Sequence, residues 1–345
     1  MRAAVIHAPH DLRIDDIPEQ AFGETDVKVR IGAGGICGSD LHYYHHGGFG
    51  TVRIQQPMVL GHEIAGTVIA TGAGVSSVRA GDKVAVNPSL PCGVCRYCMD
   101  GSANHCLDMR FYGSAMRNPH VNGGFREELV CTQAQAVKLP DDVTINEAAF
   151  AEPLSVCLHA ARQAGPLLGR RVLVTGTGPI GALLIMVARQ AGAREIVATD
   201  LLDQPLAMAR KIGADRTINT RSDPDGLAGY TADKGYFDIV FEASGAAPAL
   251  AAAIAAVRPG ATIVQVGIGA DATPPVPLNS LVAKEITLRG TFRFHEEFLW
   301  AVDFIVSRRI DVRPLLTEVV PLAEAVRGFE LASDRSRAMK VLLAF

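Results

Sequence analysis

Residue types that bind divalent metal fall in two short runs of this chain, Cys37-Gly38-Ser39-Asp40-Leu41-His42 and Gly61-His62-Glu63-Ile64-Ala65-Gly66. A catalytic zinc takes three protein ligands from cysteine, histidine and carboxylate and keeps a fourth position open, so Cys37, His62 and Glu63 suffice to hold one. His62 and Glu63 are adjacent, and neighbours reach one ion only where the backbone bends sharply, which Gly61 and Gly66 permit. The alternative is a buried cysteine and an unrelated exposed His-Glu pair.

Four more thiols, Cys92, Cys95, Cys98 and Cys106, lie within one turn-rich stretch. Four cysteines around one ion make the closed tetrahedron of structural zinc, which leaves no position for substrate. Disulfides and an iron–sulfur cluster are the alternatives, and the apparently reducing compartment and the absence of other electron-transfer features weigh against them. His105 reads as a bystander.

A third motif would hold an anion. Val172-Leu173-Val174-Thr175 runs into Gly176-Thr177-Gly178-Pro179-Ile180-Gly181 and then an apolar stretch, Ala182 to Ala191. Between strand and helix, Gly176 makes the tight turn, Gly178 lets backbone approach a pyrophosphate, Gly181 lets helix and strand pack closely, and the helix N-terminus faces the anion. Asp200 ends the next strand, 19 residues after Gly181, where a carboxylate would bind the adenosine ribose hydroxyls and repel a 2′-phosphate. Leu201, Leu202, Asp203 and Gln204 supply no arginine for such a phosphate, so NAD is expected over NADP. A glycine-rich turn without a dinucleotide, with Asp200 merely capping a helix, is the alternative.

The elements that must position these groups differ between the two halves. Up to about residue 140, short strands (Val27 to Ile31, Glu63 to Thr71, Asp82 to Val86, Glu128 to Cys131) are separated by Gly, Pro and Asp clusters, which predicts a mostly β unit. From Arg171, buried strands (Val172 to Val174, Ile196 to Thr199, Asp238 to Phe241, Thr262 to Val266) alternate with apolar helices, which predicts α/β architecture with a doubly wound parallel sheet. Helices over Glu296 to Arg308 and Leu322 to Leu331 then precede a last strand, Ala338 to Phe345, whose partners the pattern does not identify.

At 345 residues the chain exceeds the usual span of one core, and 48% apolar residues suffice for two. A net charge of −3 with interspersed signs gives no footprint for nucleic acid and no polybasic membrane patch. Met1 to Asp16 lacks a signal-peptide core and no apolar run spans a bilayer, so a cytoplasmic protein with small-molecule partners is expected.

With these residues in place, the chain resembles the zinc-dependent medium-chain alcohol and polyol dehydrogenases over nearly its whole length. Gly61-His62-Glu63-x-x-Gly66, the four-cysteine lobe and the Gly176 to Gly181 turn occur in that family's order. Met109 to Met116, Lys234 to Asp238 and Leu288 to Phe294 are the stretches most similar to its sorbitol dehydrogenase-like, sugar-acid branch. The resemblance implies a GroES-like catalytic domain over residues 1–150 and 293–345 and a Rossmann NAD-binding domain over 151–292. It implies Glu152 as a further carboxylate sharing the catalytic zinc with Glu63, because Ala151-Glu152-Pro153 stands where alcohol dehydrogenases have a second cysteine ligand.

By the same resemblance Ser39 and His42 relay the alcohol proton to solvent, and Pro179 and Ile180 join the cofactor contacts. Tyr43 and Phe111 contact substrate, and Arg293 is the first candidate for a substrate carboxylate, with Arg110 and Arg117 behind it. The implied activity is NAD-dependent oxidation of a secondary alcohol of a sugar acid, above all L-idonate to 5-keto-D-gluconate and the reverse. A sorbitol, xylitol or galactitol dehydrogenase is the alternative among enzymes, and a non-catalytic dinucleotide-binding protein is the alternative outside them. Relatives form homodimers or homotetramers, and the same is expected here.

Overall fold

A computed structural model describes residues 1–269 and 275–345, and these fall into two compact units. The first comprises Met1–Pro153, His295–Asp334 and Lys340–Phe345; the second comprises Leu154–Phe294 and Arg335–Met339. The five residues Arg335–Met339, expected with the catalytic half, pack instead with the second unit. The Arg335 guanidinium reaches Asp200 there, at 2.6 Å.

The first unit is built on a sheet whose neighbours run Ala136–Lys138, Lys83–Val86, Glu63–Thr71, Asp26–Gly35, Lys340–Ala344 and Leu316–Pro321, with Glu128–Thr132 also paired to Asp26–Gly35. The final strand thus finds both its partners, antiparallel to Asp26–Gly35 and parallel to Leu316–Pro321. Residue alternation sends Val27, Val29 and Ile31 inward against Ile64, Val68, Val84, Val86 and Leu129. Register then fixes what matters for chemistry, since Gly35 stands opposite Glu63 on one side and Leu342 on the other. The ends of three neighbouring strands therefore deliver Cys37, Glu63 and Lys340 to one end of the sheet. The helix Gly38–His46 starts directly after Cys37 and stops at Gly47, whose φ of 68° only glycine adopts freely.

In the second unit six parallel strands are ordered Arg216–Asn219, Glu195–Asp200, Arg171–Thr175, Phe237–Glu242, Val257–Gln265 and Thr287–Gly290. The first strand in sequence is central, later strands extend to both sides, and the reversal point lies between Arg171–Thr175 and Phe237–Glu242, the arrangement of a dinucleotide-binding sheet. Leu173, Val197, Phe237, Val240 and Ile263 are buried in its core. The helix Pro179–Gln190 follows the glycine turn with Gly178 at its N-cap and proline at its first position. Among the described residues no helix is long and apolar enough to cross a membrane.

Candidate active site and dinucleotide turn

Cys37, His62 and Glu63 come together: one ligand atom from each lies within 4.8 Å of the others. Gly61 has φ 92°, the bend needed to bring both His62 and Glu63 to one point. The His62 and Glu63 side chains are 6% and 1% exposed, so this is a buried group rather than a surface pair. Glu152, in the first turn of the helix Ala151–Ala164, is also buried, and it feels the charges of His62, Glu63 and Cys37. It stands outside the set of three nearest ligand atoms.

The donor chemistry fits a cation. A thiol, an imidazole and a carboxylate with ligand atoms within 4.8 Å of one another are the mixed donors that a transition-metal ion takes. Burial, reinforced by Glu63, pushes the Cys37 thiol up to about 12. Burial likewise raises Glu152 to about 8, with His62 pulling it down and Glu63 and Cys37 pushing it further up. Metal ligands must be deprotonated, and a divalent cation among a thiol and two carboxylates reverses those shifts. Zinc is the ion for a site of mixed sulfur, nitrogen and oxygen donors with an open position.

Two residues that the motif reading missed complete the arrangement. Asp40, wholly buried, accepts the Cys37 N–H at 3.0 Å and the Gly61 N–H at 3.2 Å, tying both ligand-bearing loops together. Its Oδ1 lies 3.8 Å from His62 Nδ1, beyond hydrogen-bond length, so the carboxylate faces the imidazole without bonding it. Burial raises the Asp40 carboxyl, with His62 opposing. Lys340, 3% exposed, forms an ion pair with Glu63 Oε2 and donates to the Ile36 carbonyl at 3.0 Å. Burial pulls this ammonium down, but Glu63 and Cys37 outweigh it and leave Lys340 above its ordinary value. Asp40 stands inside the Cys37 motif, three residues on; Lys340 lies within the predicted last strand, where nothing in the local sequence marks it.

Ser39 and His42 are half-buried and three apart on the helix Gly38–His46, hence on one face. Burial, followed by His46, lowers His42, which favours the neutral imidazole that accepts a proton. Tyr43 is buried and its hydroxyl accepts the Ala115 N–H at 3.0 Å. Phe111 sets its ring 5.6 Å from that of His62. The neighbouring Arg110 is exposed and lines a cavity whose walls include none of Cys37, His62, Glu63 and Glu152. Arg117 is committed to Asp108. Arg293 belongs to the second unit, in a left-handed conformation (φ 54°), with its guanidinium 5.0 Å from the Phe292 ring centroid.

The four cysteines of the lobe also converge, with Sγ–Sγ distances of 4.0 Å for Cys92–Cys98, 3.6 Å for Cys95–Cys98 and 3.9 Å for Cys95–Cys106. Four sulfurs about 2.3 Å from a tetrahedral zinc are about 3.8 Å apart, whereas a disulfide holds them at about 2.05 Å. Backbone N–H groups of Cys92, Cys95 and Asp108 point at the sulfurs of Cys106, Cys92 and Cys106. His105 is in the single 3-10 turn before Cys106 and outside the ligand set.

In the second unit the glycine turn closes on Asp200. A Cβ on Gly181 would collide with the Gly176 carbonyl, so only glycine lets helix and turn approach there. Asp200 Oδ2 accepts the Thr177 N–H at 2.7 Å and the Thr177 hydroxyl at 3.2 Å, while Oδ1 accepts the N–H groups of Leu201 and Leu202. The helix Asp203–Lys211 has Leu202 at its N-cap, so Asp200 is not a cap residue. The expectation that no arginine stands beside Asp200 holds along the sequence but not in space, since Arg335 Nη2 lies 2.6 Å from Asp200 Oδ2. That contact spans 135 positions and has no local signal.

Comparison with known proteins finds two matching families. The alcohol dehydrogenase GroES-like domain family matches residues 23–141 and the zinc-binding dehydrogenase family matches residues 179–307. The chain belongs to the zinc-binding, medium-chain alcohol and polyol dehydrogenases. It is 43% identical over 94% of its length to L-idonate 5-dehydrogenase (NAD(P)(+)) of Escherichia coli K12, covering 93% of that protein. It is 36% identical to human sorbitol dehydrogenase, over 98% of this chain and 94% of that one. The crystal structure of L-idonate 5-dehydrogenase from Escherichia coli K-12 MG1655 matches with a TM-score of 0.94 at 40% identity, covering 100% of this chain and 98% of that one. This zinc-binding dehydrogenase therefore has relatives that act on sugar acids and on polyols.

Proposed function

We propose that this dehydrogenase oxidises L-idonate to 5-keto-D-gluconate with NAD, and catalyses the reverse reaction, using a zinc held by Cys37, His62 and Glu63 with Glu152 alongside. The observation that carries the reading is the buried convergence of thiol, imidazole and carboxylate. A protein that merely bound dinucleotide would have no use for it. When bound, the zinc supplies the Lewis acidity that makes a secondary hydroxyl acidic near neutral pH, and the nicotinamide accepts hydride. The chain's own groups do the rest. Asp40 holds the Cys37 and Gly61 loops in register, Lys340 neutralises one oxygen of Glu63, and Ser39 and His42 pass the alcohol proton outward. Tyr43 and Phe111 shape the substrate pocket, and Arg293 is the guanidinium proposed for the aldonate carboxylate.

For the cofactor, Gly176, Gly178, Pro179, Ile180 and Gly181 form the pyrophosphate turn and Asp200 takes the adenosine ribose. Arg335 pairs with Asp200 and places a cation where a 2′-phosphate would need one, which supports NAD as the main cofactor with some NADP use. Cys92, Cys95, Cys98 and Cys106 would hold a second, structural zinc. A cytoplasmic homo-oligomer, dimer or tetramer, suits the exposed edge strand Thr287–Gly290.

The test is NADH formation by zinc-loaded protein on L-idonate, D-sorbitol, xylitol and galactitol. The highest kcat/KM is expected on L-idonate. Faster turnover of sorbitol would favour the polyol reading, which the human relative's identity supports, and would overturn this one.

A further inference from the structure

A cavity of about 650 Å³ opens in the first unit among residues that the chemistry above does not use. One wall carries Arg126, 3% exposed. Its Nε donates to the Gly123 carbonyl at 2.8 Å, and its two terminal nitrogens have no hydrogen-bond or ion-pair partner among the described residues. They are not among the unpartnered polar atoms sealed from solvent, and Arg126 lines the cavity. Buried guanidinium groups are normally paired with a carboxylate or phosphate, because desolvation is otherwise uncompensated. Burial pulls Arg126 down to about 10, as it does for a cation without a counter-ion.

The other charges around the cavity do not supply that counter-ion. Asp15 is paired with His7, Glu19 with Lys28, and Arg117 with Asp108. His120 accepts the Gln55 N–H at Nε2 and so donates from Nδ1 to the Arg117 carbonyl, which commits both ring nitrogens to holding loops. Asp16 and Arg110 remain on the exposed rim, leaving the interior charge positive. We propose that this cavity binds a small oxyanion, a carboxylate or phosphate group, gripped by the planar fork of Arg126 and attracted by Arg110. The site is separate from the metal group, because its lining contains none of Cys37, His62, Glu63, Glu152 and Lys340.

The experiment is calorimetric titration of the full, zinc-loaded chain with inorganic phosphate and with succinate at fixed ionic strength, sodium chloride serving as control. One saturable event per chain is expected, weakened about tenfold in Arg126→Gln and partly restored in Arg126→Lys, which keeps the charge but loses the fork. Should Arg126→Gln fail to fold, Arg110→Glu on the rim must weaken phosphate several-fold. Selenate soaked into wild-type crystals should give an anomalous peak within hydrogen-bond distance of Arg126. Selenate found only at the catalytic zinc, titrations unchanged by both substitutions, or an Arg126 paired with an acid of a second copy in sedimenting oligomers would each overturn the site. None of these readouts uses turnover, so a chain inactive on L-idonate leaves the oxyanion site standing or falling by itself.

Discussion

At the scale of single residues, the zinc reading makes His62 and Asp40 separable. His62→Ala should abolish turnover while NADH binding, measured by fluorescence, stays near wild type, because the glycine turn and Asp200 lie in the other compact unit. Full activity in that variant would refute the ligand assignment. Asp40→Asn keeps the shape but loses the carboxylate facing the imidazole, and removal of such partners typically costs about 10–100-fold in metal affinity. Competition with a chromophoric chelator reads this directly, and an unchanged zinc affinity would show that Asp40 only braces loops. Arg335 makes a sharper case than Asp200 alone. In Arg335→Ala, Asp200 loses the cation at 2.6 Å and confronts a 2′-phosphate with unshielded charge. The ratio of NADPH to NADH dissociation constants should rise about tenfold, on the scale of one charge-assisted bond. An unaltered ratio would remove Arg335 from cofactor choice.

At the scale of elements, Asp238 clamps neighbouring parallel strands. Its Oδ2 accepts the Arg171 N–H at 2.8 Å and its Oδ1 accepts the Arg258 guanidinium at 2.7 Å, joining three adjacent strands at one carboxylate. Burial would raise this carboxyl, but the Arg171 N–H and the two guanidinium groups outweigh it and hold it at about 2. A depressed folded pKa means stability present above the unfolded value of about 3.9 and lost as pH falls toward the folded one. Asp238→Asn should therefore destabilise by about 2 kcal/mol at neutral pH, judged from charge-assisted bonds. The gap in urea midpoint should hold from about pH 8 to 5 and close only between about pH 4 and 2. A gap that closes near pH 7 would assign the effect to another group.

The same elements show what sequence could and could not reveal. Strands such as Glu63–Thr71 and Arg171–Thr175 were legible because period-two alternation or a continuous apolar run is a local property. Cys37, His62 and Glu63 were legible because residue type and glycine spacing limit what they can do. Lys340 and Arg335 were not, since their meaning comes from strand register and from a contact across 135 positions. Arg126 carries no local signal, because only packing reveals that this residue is buried.

At the scale of the molecule, Thr287–Gly290 ends the six-stranded sheet with no further strand beside it among the described residues. Thr287–Gly290 pairs with Val257–Gln265 on one side and is exposed at all four residues, with Leu288 38% exposed. Nearby in sequence, the helix Leu278–Ala283 exposes Leu278 and Val282 at 65% and 78%. Soluble proteins protect open edges with charge, bulges or a covering element, and an apolar helix beside an uncovered strand protects nothing. A second copy joined through this edge would satisfy the free backbone groups and bury both side chains. If the wild-type chain associates through this edge, Val282→Lys with Leu288→Lys should therefore give a smaller species than wild type in sedimentation velocity. Each protomer retains its own cores, so the far-ultraviolet circular dichroism should not change. If the doubly substituted chain sediments like wild type, the association runs through another face and this edge is protected in some other way.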